Sequence, residues 1–208
     1  MRTPNACEEK RRALEAVARR IANCARCPLH ATRTRAVPGE GNPCARVMLV
    51  GEAPGFNEDL QGRPFVGAAG SLLNEMLKLA GLSREEVFIT NVVKCRPPNN
   101  RDPAEEEVEA CKPYLFRQLE IIEPEIVVCL GRHSTRVFFE SAGLKFESIM
   151  KVRGAPKNVV VAGCEFLCLP TLHPAAALYN PRLRGLLEAD FRLLARLLSR
   201  GQGLDRWF

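Results

Sequence analysis

Apolar residues gather into a few short continuous runs, separated by longer stretches with helical spacing. Val47-Met48-Leu49-Val50, Val87-Phe88-Ile89 and residues 125–130 (EIVVCL) have the pattern of strands buried on both faces. Residues 158–162 and 165–169 are two further short runs with Gly163-Cys164 between them, which predicts a hairpin. Residues 6–22 set Leu14, Val17 and Ile21 on one helical stripe. Residues 69–80 do the same with Leu72, Leu73, Met76, Leu77 and Leu79, stopping at Gly81. Residues 103–122 predict a helix with Pro103 in its first turn, and Pro113 inside it predicts a kink or restart. Residues 131–141 turn from a glycine into a helix, and 186–199 form the last one. Strands alternating with helices predict an α/β fold. The expected form is a three-layer α/β/α sandwich with a mostly parallel four-stranded central sheet, its strands beginning near Val47, Val87, Ile126 and Phe166. The 208 residues suffice for one core and one domain over 1–208. Within it, 1–45 hold an N-terminal helix and a first cysteine pair, and 200–208 form a tail that frays unless Trp207 and Phe208 dock.

Each predicted strand ends at a polar or glycine-bearing signature: Gly51-Glu52, Asn91, Gly131-Arg132-His133 and His173-Pro174. Open α/β sheets bind ligands beyond the carboxyl ends of their strands, so a carboxylate, an amide and an imidazole share one rim. Gly51-Glu52-Ala53-Pro54-Gly55 and Gly62-Arg63-Pro64-Phe65-Val66-Gly67 keep the backbone lean there. Neither a GxGxxG run nor a P-loop lysine accompanies them, which argues against a phosphate cradle. Taken singly, Glu52 reads as a capping acid, Asn91 as a turn residue, Phe65 as a core anchor and His173 as a structural histidine. Together they offer more. A carboxylate can position a water or face a developing cation, and an amide can read a base edge. An aromatic can stack, and an imidazole can donate to an oxygen gaining charge. Those parts suit cleavage of the bond between a base and a sugar.

The net charge of +6 fits a polyanionic partner such as nucleic acid. Arg33, Arg35, Lys94, Arg96, Arg101, Arg182 and Arg184 are candidate phosphate contacts. No apolar run approaches the roughly 18–20 residues of a membrane span, and the N-terminal MRTPNACEEKRR lacks the apolar core of a secretory signal. The expectation is an intracellular, cytoplasmic protein. Nine cysteines are many for such a chain, and the odd number leaves one unpaired in any all-disulfide scheme. The two-residue gap of Cys24 and Cys27 lets both thiolates reach one centre, with Cys95 and Cys111 as further ligands. Spacing alone permits zinc, an iron–sulfur cluster or disulfides. Of the remaining five, Cys129 reads as a core residue. Cys164 and Cys168 form no site, and a bridge among Cys7, Cys44, Cys129, Cys164 and Cys168 is open for a hyperthermophile.

In their order and content, Gly51–Gly55, Gly62–Gly67 with Ala69-Gly70, Thr90–Pro98 (TNVVKCRPP) and His173-Pro174-Ala175 resemble the motifs of the family 4 uracil-DNA glycosylases, the thermostable iron–sulfur type. The resemblance runs from about Cys24 to about Asp190. It implies an enzyme that flips uracil from DNA and hydrolyses its glycosidic bond. Glu52 would then be the water-positioning or cation-stabilising carboxylate, Phe65 the stacking ring and Asn91 the amide that reads uracil. His173 would stabilise the departing base, with the Ala53 backbone lining the same pocket. It also implies a 4Fe–4S cluster on Cys24, Cys27, Cys95 and Cys111, structural in role. The histidine loop carries Tyr179 where the family has an arginine, and Leu178 is the candidate DNA wedge. The loop after Gly55 has no histidine or basic insertion, unlike the relative that traps uracil covalently. Implied partners are uracil-containing DNA, single- or double-stranded, and a replication clamp, with the enzyme acting as a monomer. Two rivals stay open: a glycosylase of broader deaminated-base specificity, and a non-catalytic iron–sulfur DNA-binding adaptor.

Overall fold

The structure, a computed structural model, describes residues 4–200. The chain opens with α1 (Pro4–Ala22), followed by β1 (Glu40–Gly41) and β2 (Val47–Gly51). Then come α2 (Phe56–Gln61), α3 (Ala68–Leu79) and β3 (Phe88–Asn91), and α4 (Glu105–Ile122), β4 (Ile126–Leu130) and α5 (Arg132–Ser141). A short α6 (Ile149–Val152) leads to the hairpin of β5 (Lys157–Val161) and β6 (Cys164–Thr171). A one-turn α7 (Pro174–Ala177) and α8 (Pro181–Arg200) follow. The tail from 201 on, with the expected docking of Trp207 and Phe208, lies outside the described residues.

The described residues build one sheet in the order β1-β3-β2-β4-β6-β5. The four expected strands are its parallel centre. Two antiparallel edges raise the strand number from four to six: β5 against β6, and the two residues of β1 against β3. The hairpin was legible from its apolar runs. Glu40-Gly41 carries no apolar residue, so pattern could not reveal β1. Every residue of β2, β3 and β4 is buried, as continuous apolar runs require.

Alternating side chains feed two cores. On one face Met48, Val50, Val127 and Cys129 meet Leu115 and Leu119 of α4 and Phe138 of α5. On the other, Val47, Leu49 and Val128 meet Leu73 and Met76 of α3 and Phe191 of α8. Val17 and Ile21 of α1 pack with Ile121 of α4 as an outer layer. Cys7 and Cys44 form a disulfide that ties α1 to the segment entering β2.

Two helices differ from expectation: α8 begins at Pro181 rather than Leu186, and α4 differs at its start and at Pro113. Helix α4 begins at Glu105 rather than Pro103, because Glu107 accepts the Ala104 N–H at 2.8 Å and closes the first turn there. It also runs through Pro113 as one helix. Burial of Cys111 before the proline and Leu115 and Leu119 after it holds both halves to the same face.

From β2 the chain passes to β3 on one side and later to β4 on the other, so the β2–β4 boundary is the switch point of the sheet.

Candidate active site

Strand register assembles the rim. Gly51 of β2 stands opposite Asn91 of β3, and Leu130 of β4 opposite Thr171 of β6. Glu52, Asn91, His133 and His173 therefore leave neighbouring strand ends. A cavity of about 330 Å³ lies over them, lined by Glu52, Ala53, Phe65, Asn91, Arg101 and His173 among others. All five pocket residues expected from sequence converge on it.

Asn91 is 1% exposed, and its Oδ1 has no hydrogen-bond partner among the described residues. A buried amide oxygen left unpaired costs about 1–3 kcal/mol unless a ligand donor satisfies it. Gly51 makes the room: a Cβ there would lie 2.3 Å from Asn91 Oδ1 and 2.7 Å from the Phe65 ring. Phe65 is 6% exposed, with a positive φ of 52° that non-glycine residues rarely adopt. Arg84 holds this backbone, donating to the Phe65 carbonyl at 3.2 Å and to the Pro64 carbonyl at 2.8 Å. The Phe65 ring is 5.6 Å from the His173 ring.

Glu58, in the first turn of α2, locks the two glycine loops together. Its carboxylate accepts the N–H groups of Gly55 at 3.1 Å, Val66 at 2.9 Å and Gly67 at 3.0 Å. The sequence reading missed it, although Gly55 followed three residues later by a glutamate is a helix-start signature. Lys94 is a correction. It is 1% exposed, not a phosphate contact, and its Nζ donates to Thr90 Oγ1 at 2.6 Å, the Asn91 carbonyl at 2.7 Å and Gln118 Oε1 at 2.7 Å. Burial pushes its pKa down to about 7. Lys94 thus braces the backbone of Asn91 from below.

His173 caps α7. Its Nδ1 accepts the Ala175 N–H at 3.1 Å, so a neutral ring carries its proton on Nε2. Burial lowers its pKa to about 4, which keeps it neutral at physiological pH. The chain at Gly131, with a φ of +97°, passes so close that a Cβ would sit 3.0 Å from the His173 Cβ. Glu52 is half-buried, and burial first, then repulsion from Asp102, raises its pKa to about 7. Sequence reading left Asp102 and His133 without roles, yet both approach Glu52: His133 Nε2 is 3.6 Å from Glu52 Oε2 and 3.5 Å from Asp102 Oδ2.

The four cysteines meet elsewhere. Cys24, Cys27, Cys95 and Cys111 line one small cavity with Arg33, Lys94 and Tyr114, and none of the four is in a disulfide. Arg33 Nη1 donates to Cys95 Sγ at 3.1 Å and the Lys94 N–H to Cys111 Sγ at 3.3 Å. Burial, then the neighbouring sulfurs, push the Cys95 and Cys111 thiols up, Cys111 to about 11. The four sulfurs surround one cavity without gathering as tightly as ligands of a single ion, and N–H donors to two of them are in place, a donor set whose chemistry suits a larger iron–sulfur centre. Of the leftover cysteines, Cys129 is fully buried as expected and faces Cys168 at 3.5 Å.

Several expected phosphate contacts are engaged with protein groups. Arg101 pairs with Glu107 at 2.6 Å, and Arg184 with Glu75 and Glu188. Arg96 lies 5.1 Å over the ring of Phe56, which is 54% exposed. In the histidine loop Leu178 is half-buried against the α3–α8 core, whereas Tyr179 is 92% exposed.

A family model of the Uracil DNA glycosylase superfamily matches residues 38–196. The chain is 57% identical over 185 residues to a type-4 uracil-DNA glycosylase of Sulfurisphaera tokodaii, covering 88% of this chain and 84% of the relative. It is 51% identical to the type-4 enzyme of Archaeoglobus fulgidus, covering 91% and 95%, and 48% identical to that of Thermotoga maritima, covering 80% and 84%. With the pocket, the paired glycine loops and the cysteine set in place over a common length, the chain belongs to the uracil DNA glycosylase superfamily, among its type-4 members.

Proposed function

We propose that the protein excises uracil from DNA, hydrolysing the N-glycosidic bond and leaving an abasic site for base excision repair. The unpaired Asn91 Oδ1 carries this reading. Uracil presents an N3–H donor that satisfies it, whereas cytosine presents a lone pair at N3 that repels it. The base leaves the stack to reach the pocket, at a cost of a few kcal/mol that a G·U mismatch lowers. Phe65 then stacks on the base. As the glycosidic bond lengthens, O2 gains charge and His173 Nε2–H donates to it. A neutral imidazole loses less by donating there than it would by first being charged in a buried site. Glu52, once ionised, faces the sugar and positions the water that attacks C1′. Relatives named type-4 uracil-DNA glycosylases support the assignment.

Cys24, Cys27, Cys95 and Cys111 would hold a 4Fe–4S cluster. When bound it supplies a clamp between the N-terminal segment and the loop after Cys95, with no redox work demanded by the reaction. Tyr179 at the loop tip, rather than Leu178, meets the duplex beside the flipped base. The enzyme acts as a monomer on DNA in the cytoplasm.

The test is release of base from a uracil-containing oligonucleotide against a thymine control, read as alkaline strand cleavage. Uracil strands should be cut and thymine strands left whole. His173→Ala should slow single-turnover release by about 10²–10³-fold, with DNA affinity changed by roughly threefold or less. Uracil strands that resist alkali would establish a non-catalytic adaptor, and equal release of hypoxanthine would establish broader specificity.

A further inference from the structure

Four charged or titratable groups meet at the sheet's switch point, and uracil recognition uses none of their mutual contacts. They come from three places: Glu52 after β2, Asp102 before α4, and Arg132 and His133 in the first turn of α5. His133 Nε2 faces both carboxylates, at 3.6 Å from Glu52 and 3.5 Å from Asp102. Arg132 Nε donates to the same Nε2 at 3.0 Å, and its Nη2 pairs with Asp102. A ring nitrogen that accepts from a guanidinium carries no proton, so His133 is neutral in this arrangement. With both carboxylates ionised the set holds two negative charges and one positive. It is one proton short of neutrality, and Glu52 Oε2 and His133 Nε2, 3.6 Å apart, can each seat that proton and pass it once they close to hydrogen-bonding distance.

We infer that Glu52 and His133 share one transferable proton, held on Glu52 Oε2 in the free enzyme and passed to His133 Nε2 as the scissile sugar gains positive charge. The Oε2–H bond breaks and an Nε2–H bond forms. No electrons are exchanged with any other group. Glu52 becomes a carboxylate facing the sugar, His133 becomes an imidazolium beside Asp102, and Arg132 gives up Nε2 while keeping Asp102. After the product leaves, the proton returns. His133 acts through Glu52 and is a positioning residue. The inference rests on the role of Glu52 proposed above.

The electrostatic setting agrees. Burial and Asp102 lift Glu52 to about 7, and burial lowers His133, both in the direction that favours the proton on the carboxylate. Asp102 draws a proton toward His133, while Arg132 and Arg136 of α5 oppose it. On the facing walls stand Arg101 (paired with Glu107), Glu58 of α2 and the neutral His173. On its other side His133 lines a groove with Glu105, Glu109 and Lys112 of α4 and Arg136 and Glu140 of α5, and of all these groups Asp102 is the carboxylate that approaches both His133 and Glu52. Without it Glu52 would ionise more readily, and a second proton would enter the pair less readily.

The readout is the pH profile of single-turnover uracil release for the wild type, His133→Gln, Asp102→Asn and Glu52→Gln. In the wild type the singly protonated pair still reacts, so the acid limb lies below pH 7. His133→Gln removes the acceptor and should move that limb up by about one pH unit, slowing release most at low pH. Asp102→Asn should move it down. Opposite shifts support proton sharing; superimposable normalised profiles, or shifts in the same direction, overturn it. The Asp102 side chain is 58% exposed and asparagine has its shape, so this variant carries the test should His133→Gln fold poorly. Glu52→Gln with undiminished release would instead remove the role of Glu52 itself, a separate failure.

Discussion

The buried Asn91 oxygen has no hydrogen-bond partner among the described residues, while Lys94 and the β3 backbone hold the residue in place. The cost of desolvating the acceptor is thereby met on folding, before uracil arrives. Glu52, Phe65, Asn91 and His173 were legible in the sequence because each lies at a strand end or between turn glycines, where local pattern points to a rim. Asp102, His133 and Glu58 were not, since their meaning comes from partners brought close only by the fold. Lys94 was misread because lysines are seldom buried, and nothing in its local sequence reveals three waiting acceptors. The same limit applies in the histidine loop. Leu178 is the expected wedge from sequence; in the structure it is half-buried against the α3–α8 core while Tyr179 is exposed, which is the ground for proposing Tyr179 instead. An exposed ring can stack on bases at about 1–3 kcal/mol each. Tyr179→Ala should weaken binding of a G·U duplex by about tenfold, and Tyr179→Trp should restore it, both measured by fluorescence anisotropy. Leu178→Ala should lower thermal stability instead. Equal duplex affinity in wild type and Tyr179→Ala would return the wedge to Leu178.

At the scale of elements, unbroken apolar runs predicted β2, β3 and β4, because burial on both faces leaves a strong signal, while β6, only partly buried at its start, was read from the hairpin pattern. The edges and short helices were harder. β1 has two residues, and α2, α6 and α7 are a few residues long, held by caps and loop contacts rather than by a stripe. The β2–α2 turn shows how such an element serves chemistry. Gly51 allows the strand to pass beneath both the Asn91 amide and the Phe65 ring. Gly51→Ala places a methyl 2.3 Å from Asn91 Oδ1, so the amide or the ring must move. The expected result is a fall in kcat/KM of about 100-fold or more with a stability loss of about 1–3 kcal/mol, the usual cost of overpacking. Steady-state kinetics and urea melts measure the two. A variant with unchanged kcat/KM would mean that the pocket tolerates a shifted Asn91, contrary to its proposed reading of uracil.

Across the whole molecule, one disulfide and one set of four free cysteines meet different parts of the N-terminal segment. The Cys7–Cys44 disulfide closes a sequence separation of 37 residues, and neither cysteine lines the pocket. The Cys24, Cys27, Cys95 and Cys111 set instead lines a cavity with Lys94, whose Nζ supports Asn91, and Cys95 and Cys111 flank the loop bearing Arg101 and Asp102. Spacing marked Cys24, Cys27, Cys95 and Cys111 as able to share one centre, only the family resemblance implied a cluster there, and the Cys7–Cys44 pairing stayed open, because pairing among scattered cysteines depends on approach in space. Their separation predicts separate consequences. Cys44→Ser should cost about 2–4 kcal/mol, the usual contribution of a bridge closing a loop of this size. For a chain of 208 residues that is a drop in Tm of roughly 5–15 °C. Uracil release at moderate temperature should stay at the wild-type rate, since neither Cys7 nor Cys44 lines the pocket. Cys111→Ala should lose the iron–sulfur absorbance near about 400 nm. It should also raise hydrogen exchange in residues 94–104 and slow release, because the brace beneath Asn91 loosens with it. Calorimetry, exchange and single-turnover release on the two variants decide the matter. A Cys44→Ser protein that melts normally, or one whose release slows as much as that of Cys111→Ala, would show that the two clamps do not divide the work between stability and chemistry.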